Sequence, residues 1–249
     1  MSTLANWINP YYLRPSTISD IKETIAAKPL VKYTVLDNFF IEEKLEEWIK
    51  YHLTLEFSEN YDKYTGNGQM LPYDSAVNFA QKGAGFASEL FFDDEWLAYL
   101  SDLCGLAPSK RTEVKQRYHS ADADGFWVHT DAVQRNIAAI GYFNKGWKAS
   151  DGGLLQLWMV DDVQSPSALH VESPTGKMGF LSTHKRLKTM SPGGGFPDNQ
   201  SHDLVLIDQI VPLYNRLFLA NLIAAPSYHS VSPSNGRIRL GFVQWILQQ

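Results

Sequence analysis

The chain contains one cysteine, Cys104, in 249 residues. That excludes an intramolecular disulfide and any cysteine-based zinc cluster, and it suits a reducing compartment. Positive charge is also scarce: 22 Lys and Arg stand against 27 Asp and Glu, for a net charge of −5. The longest basic stretch, Lys185-Arg186-Leu187-Lys188, is too short to make a nucleic-acid footprint, so no nucleic-acid partner is expected. No apolar run approaches the roughly 20 residues of a membrane span, and no membrane association is expected. Met1 to Arg14 mixes Asn, Trp, Pro and Tyr without an apolar stretch. A signal peptide is therefore not expected, and the cytoplasm is the expected compartment. What the chain does have is core-forming material, with 44% hydrophobic and 13% aromatic residues. One large core suffices for that, so residues 1–249 are expected to form one domain.

Two textures divide the sequence. In residues 1–111, Val31-Lys32-Tyr33-Thr34-Val35-Leu36 alternates as a strand does, with Asp37-Asn38 as a helix cap after it. Phe39, Phe40, Leu45, Trp48, Ile49 and Leu53 then recur at helical spacing, with Glu42, Glu43, Glu46 and Glu47 between them. Glu59 to Asp74 is polar and holds Gly and Tyr, which predicts an irregular loop near the mouth of a site. Phe86 to Leu103 predicts a second helical region. From Thr112 onward, short β-rich runs take over: Val114–Tyr118, Trp127–His129, Asn136–Phe143, Leu154–Trp158, Gly176–Leu181, Asp203–Ile210, Arg216–Leu222 and Arg237–Ile246. Turn signals such as Asp122-Ala123-Asp124-Gly125, Asp151-Gly152-Gly153 and Ser234-Asn235-Gly236 separate them. This predicts a mainly β fold with an N-terminal helical layer and a double-sheet jelly-roll core over 112–249. An insert is expected at about 159–211.

His129-Thr130-Asp131 carries the chemistry. A strand places residues i and i+2 on one face, so His129 and Asp131 can converge. A second imidazole from a distant strand, His229, completes two nitrogens and one carboxylate. That set is the facial triad of non-haem Fe(II), which leaves the opposite coordination face for co-substrate and oxygen. An arginine on the strand after His229 would hold the far carboxylate of a chelating 2-oxo acid. His119, His170, His184 and His202 do not precede a strand bearing arginine at the right distance, and are read as exposed-loop or strand-face histidines. His52, in the first helix, is read as structural.

Two blocks resemble the prolyl 4-hydroxylase-like branch of the 2-oxoglutarate/Fe(II)-dependent dioxygenases. The first runs from Arg117-Tyr118 through His129-Thr130-Asp131 to Ile140-Gly141-Tyr142-Phe143-Asn144-Lys145-Gly146-Trp147 and Asp151-Gly152-Gly153-Leu154-Leu155-Gln156-Leu157-Trp158. The second is Pro212-Leu213-Tyr214-Asn215-Arg216-Leu217-Phe218-Leu219, then Tyr228-His229-Ser230-Val231, Arg239 and Trp245. The resemblance implies a double-stranded β-helix (cupin-like) core, and Fe(II) held by His129, Asp131 and His229. 2-Oxoglutarate and O2 would be co-substrates, the former bound by Arg239, Tyr142 and Tyr118. Arg239 is preferred to Arg237 because the family places its arginine six residues before the last strand's tryptophan, here Trp245. Arg237, two residues earlier on the same strand face, is expected at the rim or the substrate. Trp127, Trp158, Gln156 and Arg135 are read as packing residues.

The implied reaction couples decarboxylation of 2-oxoglutarate to succinate and CO2 with hydroxylation of an unactivated C–H bond. Related halogenases carry a small residue where Asp131 stands, so the carboxylate argues for hydroxylation. Free amino acids, a prolyl or other protein side chain, and small metabolites remain open as substrates. The insert is a candidate lid or homodimer contact. Two other classes stay in view: a non-catalytic jelly-roll binding module, and a zinc hydrolase on the same triad, which would need neither Arg239 nor Tyr142.

Overall fold

The computed structural model describes residues 2–54, 58–61, 70–73, 87–119, 121, 125–131, 135–160, 170–172, 179–181, 204–224 and 228–247. Side chains of the strand residues 58–61, 70–73, 126–130, 159–160, 170–172, 179–181 and 204–205 fall outside that description.

Two antiparallel sheets face each other. Seven strands make the larger one: β1 (Lys32–Asp37), β2 (Ser58–Tyr61), β3 (Met70–Tyr73), β4 (Thr112–His119), β6 (Arg135–Tyr142), β11 (Arg216–Asn221) and β13 (Arg239–Leu247). Their spatial order is β1-β11-β6-β13-β4-β3-β2. The smaller sheet holds β5 (Phe126–Thr130), β7 (Leu155–Val160), β8 (His170–Glu172), β9 (Gly179–Leu181), β10 (Leu204–Ile210) and β12 (Tyr228–Val231), in the order β10-β7-β12-β5-β9-β8. Chain neighbours such as β5 and β6 thus lie in opposite sheets, as a double-stranded β-helix requires.

Alternation along the larger sheet decides what each face meets. Ile137, Ala139 and Phe143 of the β6 segment, with Leu217, Leu219, Phe242 and Ile246, join the helical layer. The intervening residues Tyr142, Phe218 and Ala220 pack inward against Leu155, Leu157 and Ile210 from the smaller sheet. The helical layer comprises α1 (Thr3–Trp7), α2 (Pro15–Ala27), α3 (Glu42–His52), α4 (Ser88–Phe91) and α5 (Asp94–Leu103). Acidic Glu42 and Glu43 open α3 and Lys50 closes it, matching the helix dipole, while Leu45, Trp48 and His52 form its buried stripe. Trp48 is the centre of this layer, stacked on Phe242 at 4.9 Å and edge-on to Phe91 at 5.2 Å and Phe143 at 4.9 Å. Truncating such a buried aromatic costs about 3–5 kcal/mol.

The sheets are also joined at the edge where β1 and β10 lie, where the Tyr33 hydroxyl donates to Asp208 and accepts from Lys28 Nζ at 3.2 Å. Burial and the Asp208 carboxylate push the Tyr33 pKa up.

Three sequence expectations need correction. The region predicted as one helix from Phe86 breaks at Asp93, whose carboxylate accepts from the Glu95 and Trp96 backbone N–H groups at 2.9 and 3.2 Å and starts α5 afresh. Asp37-Asn38 caps nothing: Asp37 pairs with Arg216, Asn38 has φ 54°, and α3 begins only at Glu42. The stretch Glu59 to Asp74, expected to be irregular, contains a strand pair, β2 against β3, with Tyr73 opposite Arg117 of β4. His184, His202, the Lys185 to Lys188 stretch and most of the insert lie outside the described residues.

Candidate active site

β12 lies between β5 and β7, and its register sets His229 directly opposite His129 on one side and Leu157 on the other. The β5/β12 register slips between His229 and Val231, a bulge of the kind that re-aims side chains beside active sites. Gly125 lets β5 begin there. It has φ 82°, and a Cβ on it would lie 2.1 Å from the Val231 carbonyl oxygen. Asp131, one residue past β5, brings its Oδ2 to 3.9 Å from His229 Nε2. Two metal–ligand bonds of about 2.1 Å span at most about 4.2 Å, so one cation can bridge this pair. Among residues whose side chains are described, no three His, Cys, Asp or Glu groups gather at one point. Asp131 and His229 supply two, and the His129 side chain lies outside the described residues.

The larger sheet grips Asp131 from across the interior. Trp245 of β13 donates its indole N–H to Oδ2 at 2.9 Å, and Arg135 at the start of β6 donates Nη1–H to Oδ1 at 3.0 Å. The Arg135 guanidinium lies 3.7 Å over the Trp245 ring and makes a second ion pair with Glu113 at 2.7 Å. Arg135 and Asp131 are both under 10% exposed, so this pair is shielded from solvent. Each carboxylate oxygen thus has a fixed donor, which holds the group in place. Sequence reasoning had treated Arg135 as packing. Its i, i+4 spacing from Asp131 was the available signal.

Farther along the inner face of β13 comes Arg239, with the small residues Gly241 and Val243 between it and Trp245. Its guanidinium carbon sits 5.1 Å over the Tyr142 ring, and both residues are deeply buried. Among the described residues, neither Tyr142 Oη nor Arg239 Nε closes a hydrogen bond of normal geometry. Burial raises the Tyr142 pKa and the Arg239 charge opposes that rise; burial likewise lowers the Arg239 pKa. Gly153 makes room for the arginine, since at φ 63° its added Cβ would lie 2.8 Å from Arg239 Cδ. The Asp151-Gly152-Gly153 turn is fastened there by Gly153 N–H to the Pro233 carbonyl at 2.8 Å and Asn235 N–H to the Asp151 carbonyl at 2.9 Å.

The structure separates residues that the sequence had grouped. Arg237 is not on the strand: β13 starts at Arg239, and the Arg237 guanidinium bonds the Gly146 and Lys145 carbonyls and Asp151, each at 2.8 Å. It clamps a loop and stacks over Trp147, so the expectation of a shared face fails. Tyr118 alternates onto the face of Gln116, whose amide oxygen meets His52 at 2.9 Å in the helical layer, and so is not brought to Arg239. His119, expected to be an exposed or strand-face histidine, is instead buried at 2% exposure, 3.4 Å from Arg239. His52 is structural as expected, with burial lowering its pKa to about 4. Gln156 and Trp158 bond to Ser230 beside His229 at 2.9 and 2.8 Å and so brace β12.

An uncompensated guanidinium in a dry interior is costly and fits a bound anion. An anionic chelator with one end on Arg239 and the other at the Asp131–His229 pair satisfies both ends, so these residues fit Fe(II) and a dicarboxylic 2-oxo acid.

Residues 115–188 match the family model of the 2OG-Fe(II) oxygenase superfamily. No curated protein matches the chain. The fold is similar to that of a Pseudomonas putida prolyl-4-hydroxylase, at TM-score 0.53 and 16% identity, covering 93% of this chain and 99% of that one. It is similar too to a 2OG-Fe(II) oxygenase family oxidoreductase from Burkholderia pseudomallei, at TM-score 0.54 and 10% identity over 93% and 91% of the two chains. The alpha-ketoglutarate-dependent epimerase SnoN of nogalamycin biosynthesis shares the fold at TM-score 0.55 and 12% identity, over 94% and 84%. At these identities the solved structures speak for fold alone, and the family match is confined to residues 115–188. The chain is thus similar to the 2OG-Fe(II) oxygenase superfamily, in sequence over residues 115–188 and in fold over most of its length.

Proposed function

We propose that residues 1–249 act as one hydroxylase unit of the cytoplasm, with His129, Asp131 and His229 as ligands of Fe(II). Arg239, with Tyr142, receives the distal carboxylate of 2-oxoglutarate. The product is a hydroxylated amino acid, protein side chain or small metabolite, with succinate and CO2 released. The observation that carries this reading is the buried, unsatisfied Arg239–Tyr142 pair on the same inner face as the donors that orient Asp131.

Bound Fe(II) supplies O2 activation coupled to oxidative decarboxylation of the co-substrate. The chain's own residues do the rest. Arg135 and Trp245 keep Asp131 charged and aimed, while the buried wall of Val243, Trp245 and Ala138 excludes water. A carboxylate at Asp131 occupies the place that a chloride would need, which favours hydroxylation over halogenation. The insert, most of which lies outside the described residues, is the proposed determinant of substrate choice and the candidate self-association surface. The prolyl-4-hydroxylase neighbour makes prolyl peptides the first compounds to test.

The test begins without oxygen. Adding 2-oxoglutarate to the Fe(II)-loaded protein is expected to produce a visible chelate absorption band. Oxygen is then admitted with prolyl peptides, free amino acids or cell extract, reading succinate and product mass. A substrate that gains one oxygen atom supports hydroxylation. Succinate release with unchanged substrate mass would overturn hydroxylation yet keep the oxygenase, and no chelate band would overturn the site.

A further inference from the structure

Arg239 is oriented by more than the ligand it is read as binding. His119 ends β4, and the β4/β13 register sets it directly opposite Arg239. Both are buried, at 2% and 6% exposure, with His119 Nε2 3.4 Å from Arg239 Nη1. A guanidinium only donates, so Nε2 must be the acceptor, and the imidazole is then neutral with its proton on Nδ1. Burial first, then the Arg239 and Arg117 charges, keep the His119 pKa well below 6.5, so the acceptor persists at neutral pH.

Three surfaces therefore bound the arginine: the Gly153 backbone along its stem, the Tyr142 ring under its face and the His119 imidazole at one edge. Only the first two were legible in the motif. We propose that His119 is a positioning residue, holding the Arg239 guanidinium so that its Nε edge and Tyr142 Oη together meet a distal carboxylate. This rests on the reading of Arg239 as the carboxylate-binding arginine. A space-filling role would predict a different pattern, because losing it would loosen the pocket for every ligand alike.

The experiment compares two 2-oxo acids on the Fe(II)-loaded protein without oxygen: 2-oxoglutarate, and 2-oxobutyrate, which lacks the distal carboxylate. His119→Leu keeps bulk and removes the acceptor; His119→Gln restores one. For 2-oxoglutarate, His119→Leu is expected to raise Kd and KM by about 10-fold or more, with kcat at saturation within about twofold of the parent. The Kd for 2-oxobutyrate should not move, and His119→Gln should recover part of the loss. Unchanged 2-oxoglutarate affinity in His119→Leu, or equal losses for both acids, would overturn the proposal. Should His119→Leu fail to show a cooperative melt, the same two-acid comparison on His119→Gln decides. A parent protein that binds neither acid would overturn the site reading itself, an outcome distinct from failure of His119.

Discussion

The two ends of the inner β13 face are built on opposite principles. At the Trp245 end, Asp131 has a donor on each oxygen and shares the Arg135 cation with Glu113, so its charge is partly met within the protein and a net negative charge remains. At the Arg239 end, a buried cation faces a neutral imidazole and a neutral phenol, with atoms of both Arg239 and Tyr142 unsatisfied. One end is a held carboxylate that suits a cation. The other holds a buried cation that suits an anion, and on the proposed reading it would favour a co-substrate with two acidic ends over one with a single acidic end.

The largest test of that contrast is Asp131→Ala. It removes a proposed metal ligand and one of the two carboxylate partners of Arg135, so succinate release is expected to vanish; stability, read by urea melts, is expected to fall by about 3 kcal/mol or somewhat less, because Glu113 still pairs with Arg135. Arg239→Met should behave in the reverse sense. The ligand-free protein is expected to melt no lower than the parent, and up to about 1–4 kcal/mol more stable, since a buried charge gives way to a hydrophobe of similar size. Its affinity for 2-oxoglutarate should drop by about 100-fold, a loss within the 2–5 kcal/mol range for truncating a buried charge partner. If Arg239→Met instead destabilises the free protein as strongly as Asp131→Ala does, the two ends are not built differently. Smaller still is Trp245→Phe, which deletes one donor to Asp131 while keeping the ring under Arg135. Metal affinity, measured by Fe(II) titration, is expected to weaken by about 10-fold with 2-oxoglutarate affinity at fixed metal saturation nearly unchanged.

Acid titration should probe the support layer as well as the site, because burial holds both His52 and His119 below the ordinary imidazole range. The His52 pKa lies near 4 in the folded chain and near 6.5 when unfolded, so the unfolded state takes up the extra proton. Its contribution is fully present above pH 6.5 and is lost as pH falls to 4, at most about 3 kcal/mol across that window. Urea melts at pH 7 and pH 5 should show a shallower pH slope for His52→Gln than for the parent.

Much of this was legible beforehand because strands advertise themselves by alternation. The runs at Val114, Asn136, Leu154 and Arg216 became β4, β6, β7 and β11 with ends shifted by only one or two residues. Local chemistry hid the rest. Asp93 looks like any acidic residue within an apolar helical period until its side chain is seen closing on two backbone N–H groups. The β2–β3 pair carries no apolar alternation, with Pro72 and Asn60 in its strands, so it read as loop. At the site, Asp131 lies one residue past the end of β5, so the alternation read into His129-Thr130-Asp131 does not by itself place it, and His229 reaches it through the β5–β12 pairing. Arg237 and Arg239 were inseparable on paper, since a two-residue interval means a shared face only where the strand has already begun. His119 was passed over because burial is a property of the closed fold, and its neighbour on β13 is 120 positions away.

Gly153, in the Gly152-Gly153 corner, sets how far the Arg239 methylenes can retreat. A single methyl group added there would press on the arginine from behind and move its charged tip. Preference among 2-oxo acids can therefore drift through mutation in a hairpin corner, 86 residues upstream of the arginine in the sequence, while every ligand-contacting side chain keeps its identity.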